Sequence, residues 1–548
     1  MADTRGLTDL TAREVGLFAN DARGGRSARR WWFAAFAVAV AWSLWSAGVG
    51  RRELVNPGGW TLVARFWRAA LDPELSAAFL GVTWRATLTT VAFAVLGTAL
   101  SVAIGVIGGV LTSETWWRRA RAGRRGGRSG RSRLRPGWFV GRGLLGLPRG
   151  VHEAVWGLFL VNVLGRDPMV GVLAIAIPFG AITAKVFAEL IDESAPGAYE
   201  ALRAAGAGRV SALAYGVFPR ILPDMVSYAF YRLECSIRSA VILGLIGAGG
   251  LGFELNLTFQ SLRYREMWTL IYALVAISAL ADLWGATLRR RGTVRWVRRS
   301  LVGGLVLVVA GFVHLGPDLG RLFSAATRAL LADVAGASWP PSLPADGWGG
   351  LGQRALDTLA MSLLAIALAS ALAVGAAFLA ARGGGSLPRR LAAGVARLLL
   401  LVTRAVPPPV WALLVLFVLF PGPLPGAVAL GIYNFGILGR LMAEVVENLD
   451  PRPGAALREG GAGGVATFAY ATLPLSSARF AAYSLYRWEV AVRETVVVGV
   501  VGAGGLGRLL EQQRAAFDYP GMLATVLALV VVSVAVDLVS AAARRSLR

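Results

Sequence analysis

Two short constellations in this sequence of 548 residues combine residue types suited to chemistry in an apolar setting. Glu234 and Arg238 stand four residues apart and precede GAGGLG at 247–252; Glu489 and Arg493 repeat the spacing before GAGGLG at 502–507. Positions i and i+4 of a helix share a face, so each glutamate can pair with its arginine. Ionisable groups inside a membrane span are costly and face a partner or a water-filled path. Arg238 and Arg493 are therefore candidates to attract an anionic substrate. Gly247, Gly249 and Gly250, with Gly502, Gly504 and Gly505, are candidates to break the helix and present backbone N–H groups to an oxyanion. The competing readings are a salt bridge without substrate contact and a close-packed glycine turn. The residues alone leave both open.

Other chemistries lack their groups. GAGGLG resembles a dinucleotide fingerprint only superficially, because it follows an apolar helix and not a strand of a βαβ unit. A phosphate-binding loop needs Gly-Lys-Ser/Thr, and the single lysine, Lys185, sits in TAKVF. His152 and His314 are far apart, without metal-ligand spacing. One cysteine, Cys235, excludes an internal disulfide. No catalytic residue, metal site or cofactor is expected on this chain.

The elements that must position these groups are membrane helices. Apolar residues make up 56% of the chain, above the roughly 45–50% of soluble proteins. Long apolar runs recur at 31–48, 85–111, 155–190, 268–287, 300–316, 355–381, 391–420, 425–446 and 520–542. Several exceed the roughly 20 residues a spanning helix needs. The net charge of +24 comes almost wholly from arginines at 24–30, 118–142, 289–299, 382–390 and 544–548, between or beyond the apolar runs. That placement is topogenic, with both termini cytoplasmic, and it argues for a lipid bilayer and against a nucleic acid as partner.

An internal repeat organises the chain. RGVHEAVWGL (149–158) aligns with RAVPPPVWAL (404–413), YAFYRLECSIR (228–238) with YSLYRWEVAVR (483–493), and LIGAGGLG (245–252) with VVGAGGLG (500–507), all at an offset of 255. Upstream, TWRATLTTVAF (83–93) resembles the region of RALDTLAMSLL (354–364), placing Thr87 opposite Thr358 at an offset of 271. The reading is an all-α integral membrane protein of about twelve transmembrane helices in two parallel repeats of about six. It divides into a cytoplasmic tail (1–30), a first unit (31–299) with an Arg-rich cytoplasmic loop (117–142), and a second unit (300–548).

EALRAAG (200–206), with Pro219 thirteen residues beyond its last glycine, resembles the "EAA" loop of ABC-importer permeases. The second copy keeps Ala456, Gly461 and Pro474 but has Ala455 where the first has Glu200. The Glu-x3-Arg and GAGGLG elements together resemble permeases of the phosphonate-importer (PhnE-like) family. The resemblance implies a type I ABC importer permease with two units fused in one chain, in the bacterial inner membrane. It implies two ABC ATPase subunits carrying ATP and Mg, and an extracytoplasmic substrate-binding protein. Glu200, Ala201, Gly206, Ala456, Arg458 and Gly461 would form the ATPase-coupling loops, and docking at the second would be weaker or would rely on Arg458 and Glu459. The substrate would be phosphonate or a related phosphorus oxyanion. The alternatives are a secondary transporter with parallel repeats, for which Glu234 and Glu489 are the candidate ion-coupling carboxylates, and a non-transporting membrane scaffold.

Overall fold

A computed structural model describes residues 30–117, 136–165, 167–194, 196–291, 293–381 and 386–547. Most of the N-terminal tail and of the Arg-rich loop lies outside them. The described residues are helical nearly throughout, apart from an isolated antiparallel bridge between Val55 and Leu419.

The first unit begins with α1 (30–46), α2 (Gly59–Ala69) and α3 (Ala77–Thr112). Ser76 caps α3, its hydroxyl accepting from the Phe79 N–H at 3.4 Å. Then come α4 (Pro136–Gly150), α5 (Glu153–Leu164) and α6 (Met169–Glu193), two short helices α7 (Pro196–Ala204) and α8 (Arg209–Gly216), α9 (Phe218–Leu243), α10 (Gly250–Gln260) and α11 (Tyr264–Arg291). The second unit repeats the order: α12 (Val294–Leu315), α13 (Ala325–Ala337), α14 (Gly347–Ala380), α15 (Leu387–Ala405), α16 (Pro408–Val418), α17 (Pro423–Glu447), α18 (Arg452–Glu459), α19 (Gly464–Thr467), α20 (Leu473–Val498), α21 (Gly505–Ala515) and α22 (Tyr519–Leu547).

Among the described residues, seven helices are long and apolar enough to span a membrane, and three bent pairs raise the number to ten. The expected twelve is reached only by adding α1 and the α4–α5 pair, which fall short of that length or apolarity. Six elements per unit still follow one order. The apolar run 391–420 is not one span: α15 and α16 meet at 95°, where Pro407 to Pro409 deny the helix its N–H donors.

Helices α3 and α6 pack through small residues. A Cβ on Gly105 would lie 2.4 Å from the Thr183 methyl, and one on Gly109 2.8 Å from the Phe187 Cβ. Without a hydrophobic drive between helices in lipid, such close backbone approach supplies the dispersion contacts. The equivalent crossing of α14 on α17 uses fully buried Ala365, Ala369, Ala373 and Ala377.

The units interlock. The Asn56 N–H donates to the Val418 carbonyl at 2.7 Å, and the Phe420 N–H to the Leu54 carbonyl at 3.1 Å. These bonds tie the strap before α2 to the end of α16, in the other copy.

Candidate functional site

The repeated motifs occupy corresponding places on α9 and α20, yet their partners differ. Arg238 lies 3.7 Å from Glu234, so the expected pair forms. Arg238 also donates to the Tyr433 hydroxyl at 3.3 Å. Glu234 makes a shorter contact, 2.8 Å, with Arg404 of the other unit. Arg404 reaches on to Asp282 at 2.8 Å, Asp282 to Arg440 at 2.7 Å, and Arg440 to Glu444 at 3.0 Å. One continuous ion chain therefore crosses from α9 and α11 to α15 and α17.

In the second unit the expected i,i+4 pair is not made. Among the described residues no ion pair joins Glu489 to Arg493. Glu489 instead holds Arg544 of α22, and Arg493 donates to the Arg149 carbonyl at 3.0 Å. A shared helix face permits an i,i+4 pair without compelling it, and here a nearer guanidinium from α22 takes the carboxylate. Asp537, 255 residues after Asp282, lies within electrostatic reach of Arg493, Glu489, Arg149 and Arg544.

The glycine turns act first as joints. Gly247 (φ 108°, ψ 3°) and Gly502 (φ 109°, ψ 3°) sit in a left-handed region that other residues avoid. Gly249, Gly250, Gly504 and Gly505 also have positive φ, between 69° and 103°. The bends that result are 57° between α9 and α10 and 62° between α20 and α21. Close approach is used just after the bend. The Leu251 N–H donates to Thr90 Oγ1 at 2.8 Å, and the Leu506 N–H to Thr358 Oγ1 at 3.0 Å. These two N–H groups, each following the last candidate glycine, Gly250 or Gly505, are committed to threonine. The pairing also corrects the alignment of the leading helices: Thr358 corresponds to Thr90, at an offset of 268, and not to Thr87. A three-residue slip is close to one helical turn and preserves the apolar pattern, so hydropathy could not detect it.

Two arginines missed by the motif reading stand between Tyr and Glu in both copies of YR-x-E. Arg487 is buried and paired with a carboxylate: its Nε donates to Asn434 Oδ1 at 2.7 Å and its Nη2 to the Glu494 carboxylate at 3.0 and 3.2 Å. Its counterpart Arg232 donates to the Tyr228 hydroxyl at 2.8 and 2.5 Å. Its guanidinium also lies 5.1 Å over Phe179 and 5.6 Å over Tyr231. Tyr231 and Tyr486 are exposed and electrostatically in reach of each other, so α9 and α20 face one another here. The signal was present: both arginines lie in the aligned segments at the 255 offset.

The EAA-like segments form hairpins of short helices. In α7–α8, Gly206 (φ 90°) ends the first helix, and the Ala207 N–H closes on the Leu202 carbonyl at 3.0 Å. In α18–α19, Gly461 (φ 83°) does the same, with Ala462 on Leu457 at 2.9 Å. Gly206 and Gly461 thus terminate helices. Glu200, Ala201, Ala456 and Arg458 are exposed, and Ala455 is half-buried. Beside them stand large apolar residues that the motif reading did not single out: Val210 and Val465 (70% and 84% exposed) and Tyr215 and Tyr470 (80% and 78%), each pair 255 residues apart.

Comparison with known proteins agrees with this architecture. The family model described as "Binding-protein-dependent transport system inner membrane component" matches residues 130–292 and again 373–548. The chain is similar to the "Phosphate-import permease protein PhnE" of Mycolicibacterium smegmatis, 32% identical over 407 residues, 72% of this chain and 76% of that protein. It is similar to the "Phosphite transport system permease protein PtxC" of Stutzerimonas stutzeri, 33% identical over 246 residues, 45% of this chain and 87% of that protein. Among solved structures, an inward-facing MetNI methionine ABC transporter chain is 20% identical, covering 40% of this chain and 100% of that chain, with a TM-score of 0.33. The chain belongs to the inner-membrane components of binding-protein-dependent transport systems, with two permease units joined in one polypeptide.

Proposed function

We propose that this chain is the permease of an ATP-driven importer that moves phosphate, phosphonate or a related phosphorus oxyanion by alternating access. The observation that carries the reading is the repeated exposed hairpin. Two copies present the same valine and tyrosine to solvent at matched positions, and exposed apolar pairs beside a structured turn mark a protein–protein contact. Two ATPase subunits would seat there, on 192–222 and 447–477, bringing ATP and Mg, since this chain carries no Gly-Lys-Ser/Thr loop. Relatives named for phosphate and phosphite transport support the substrate class.

The Glu234–Arg238 and Glu489–Arg493 positions serve this function as contacts between moving helices beside the pathway. The Glu234–Arg404 pair crosses from one unit to the other, so relative motion of the units must remake it, while Glu489–Arg544 ties α20 to α22 within the second unit. An extracytoplasmic binding protein would deliver substrate on the opposite side, with both termini cytoplasmic.

The test is reconstitution of the full chain with ATPase subunits and binding protein in proteoliposomes. ATP-dependent uptake of inorganic phosphate or methylphosphonate is expected, with loss of ATPase coupling when Tyr215 and Tyr470 are both changed to Asp. Transport by the chain alone under an ion gradient would overturn the reading in favour of a secondary transporter.

A further inference from the structure

Arg232 and Arg487 occupy the same position in the two units, and their surroundings differ in charge. Arg487 is neutralised by Glu494, seven residues on along α20. The first unit has Ser239 there, and its hydroxyl is turned to Glu153 at 2.6 Å. Among the described residues no carboxylate lies within ion-pair distance of Arg232. Its guanidinium is surrounded by aromatic faces: Phe179 at 5.1 Å, Tyr228 at 5.0 Å and Tyr231 at 5.6 Å.

A half-buried guanidinium without a counter-ion loses part of its hydration, a cost that cation–π contacts offset only in part. In a membrane span such a group marks a ligand path. The donors are arranged for one. The Tyr228 hydroxyl oxygen accepts from both Nε and Nη2 of Arg232, so its own O–H proton is free to be donated. Nη1 of Arg232 has no hydrogen-bond partner among the described residues. Nη1–H and the second N–H of Nη2 therefore form an open guanidinium edge, beside the one Tyr228 holds, that matches two oxygens of a tetrahedral anion. Exposed Tyr231 and Tyr486 leave the space beside it open.

We infer that Arg232, held on its Nε–Nη2 edge by Tyr228, forms a one-sided binding site for a tetrahedral oxyanion, built from the first unit alone, while Glu494 keeps the equivalent Arg487 from acting as a second one. One cation offers a place to rest without the tight capture that two would give, which suits a site an ion must leave. This rests on the reading of the chain as an oxyanion permease and gives that pathway its residues.

The site can be tested without transport, by thermal unfolding of the purified full chain in lipid-free detergent. Inorganic phosphate is compared with chloride at equal ionic strength. Phosphate is expected to raise the midpoint by about 2 °C or more beyond chloride in the wild type and in Arg232→Lys. In Arg232→Met only the general salting effect of phosphate should remain. Equal rises in wild type and Arg232→Met would overturn the site, as would no rise in the wild type. If Arg232→Met does not fold, Tyr228→Phe decides: a smaller rise is expected, and an undiminished one overturns the proposal. A rise given by phosphatidylglycerol micelles and not by phosphate would reassign the site to a lipid headgroup and overturn it too. If the phosphate-dependent rise persists while ATP-driven uptake fails, the importer reading falls and the site stands.

Discussion

The ion cluster around Glu234 and the one around Glu489 are built from the same residues and wired differently. Each has a glutamate and an arginine on the central helix (Glu234 and Arg238; Glu489 and Arg493), an aspartate on the last helix (Asp282; Asp537) and an arginine ending the bent helix of the opposite unit (Arg404; Arg149). On the first side these join into a chain running from Arg238 through Glu234, Arg404, Asp282 and Arg440 to Glu444. On the second side Glu489 turns to Arg544 of its own unit, and a guanidinium–carbonyl bond, Arg493 to Arg149, crosses between units. One substitution tracks with the difference. Arg440 has Lys185 as its counterpart, and Lys185 lies in an exposed pair with Glu189 at 3.8 Å. A guanidinium fork bridges two carboxylates, as Arg440 does between Asp282 and Glu444, where an ammonium holds one. Duplicated sequence therefore does not guarantee duplicated pairing: in a crowded ionic cluster, each change redistributes every partner.

The sharpest way to break this comparison is to remove the bridging arginines. Arg404→Ala strands two carboxylates within the helix bundle and should cost about 3–5 kcal/mol, the usual result of breaking a buried pair. Arg544→Ala, on the more solvated side, should cost distinctly less. Thermal unfolding of the two full-length variants in detergent reads the difference, and equal losses would erase the asymmetry. Next in size is the buried pair that distinguishes Arg487 from Arg232. A double-mutant cycle of Arg487→Met with Glu494→Gln should give a coupling of about 1–3 kcal/mol. A coupling near zero would mean that Glu494 does not neutralise Arg487.

The third prediction sharpens the alignment of the units. Thr90→Val and Thr358→Val should each cost about 1–3 kcal/mol, because each leaves a buried N–H, of Leu251 or Leu506, without an acceptor. Thr87→Val should cost less, since that hydroxyl donates only to the Thr83 carbonyl of its own helix. Equal costs at Thr87 and Thr90 would restore the offset of 271. The smallest effect concerns the hairpins: Glu200→Ala should lower ATPase coupling in the assembled transporter more than Ala455→Gly, and identical losses would remove the functional difference between the loops.

Much of the fold and part of the site were legible before any coordinates. Apolar runs announced the helices, because a helix in lipid must satisfy its backbone internally and clothe it with hydrocarbon. The constant offset of 255 announced two units, and glycines at 247 and 502 announced the chain breaks, because only glycine enters those positive-φ conformations at little cost. Partner choice was not legible. Glu489 and Arg493 have the right spacing and do not pair; Arg404 and Glu234 are 170 residues apart and do. The commitment of the Leu251 and Leu506 N–H groups to Thr90 and Thr358 was hidden for the same reason, as was the contrast between Arg232 and Arg487. Local sequence sets backbone conformation and burial, which depend on near neighbours along the chain. Which charge meets which depends on distances of a few ångströms between distant helices, and only their packing decides those.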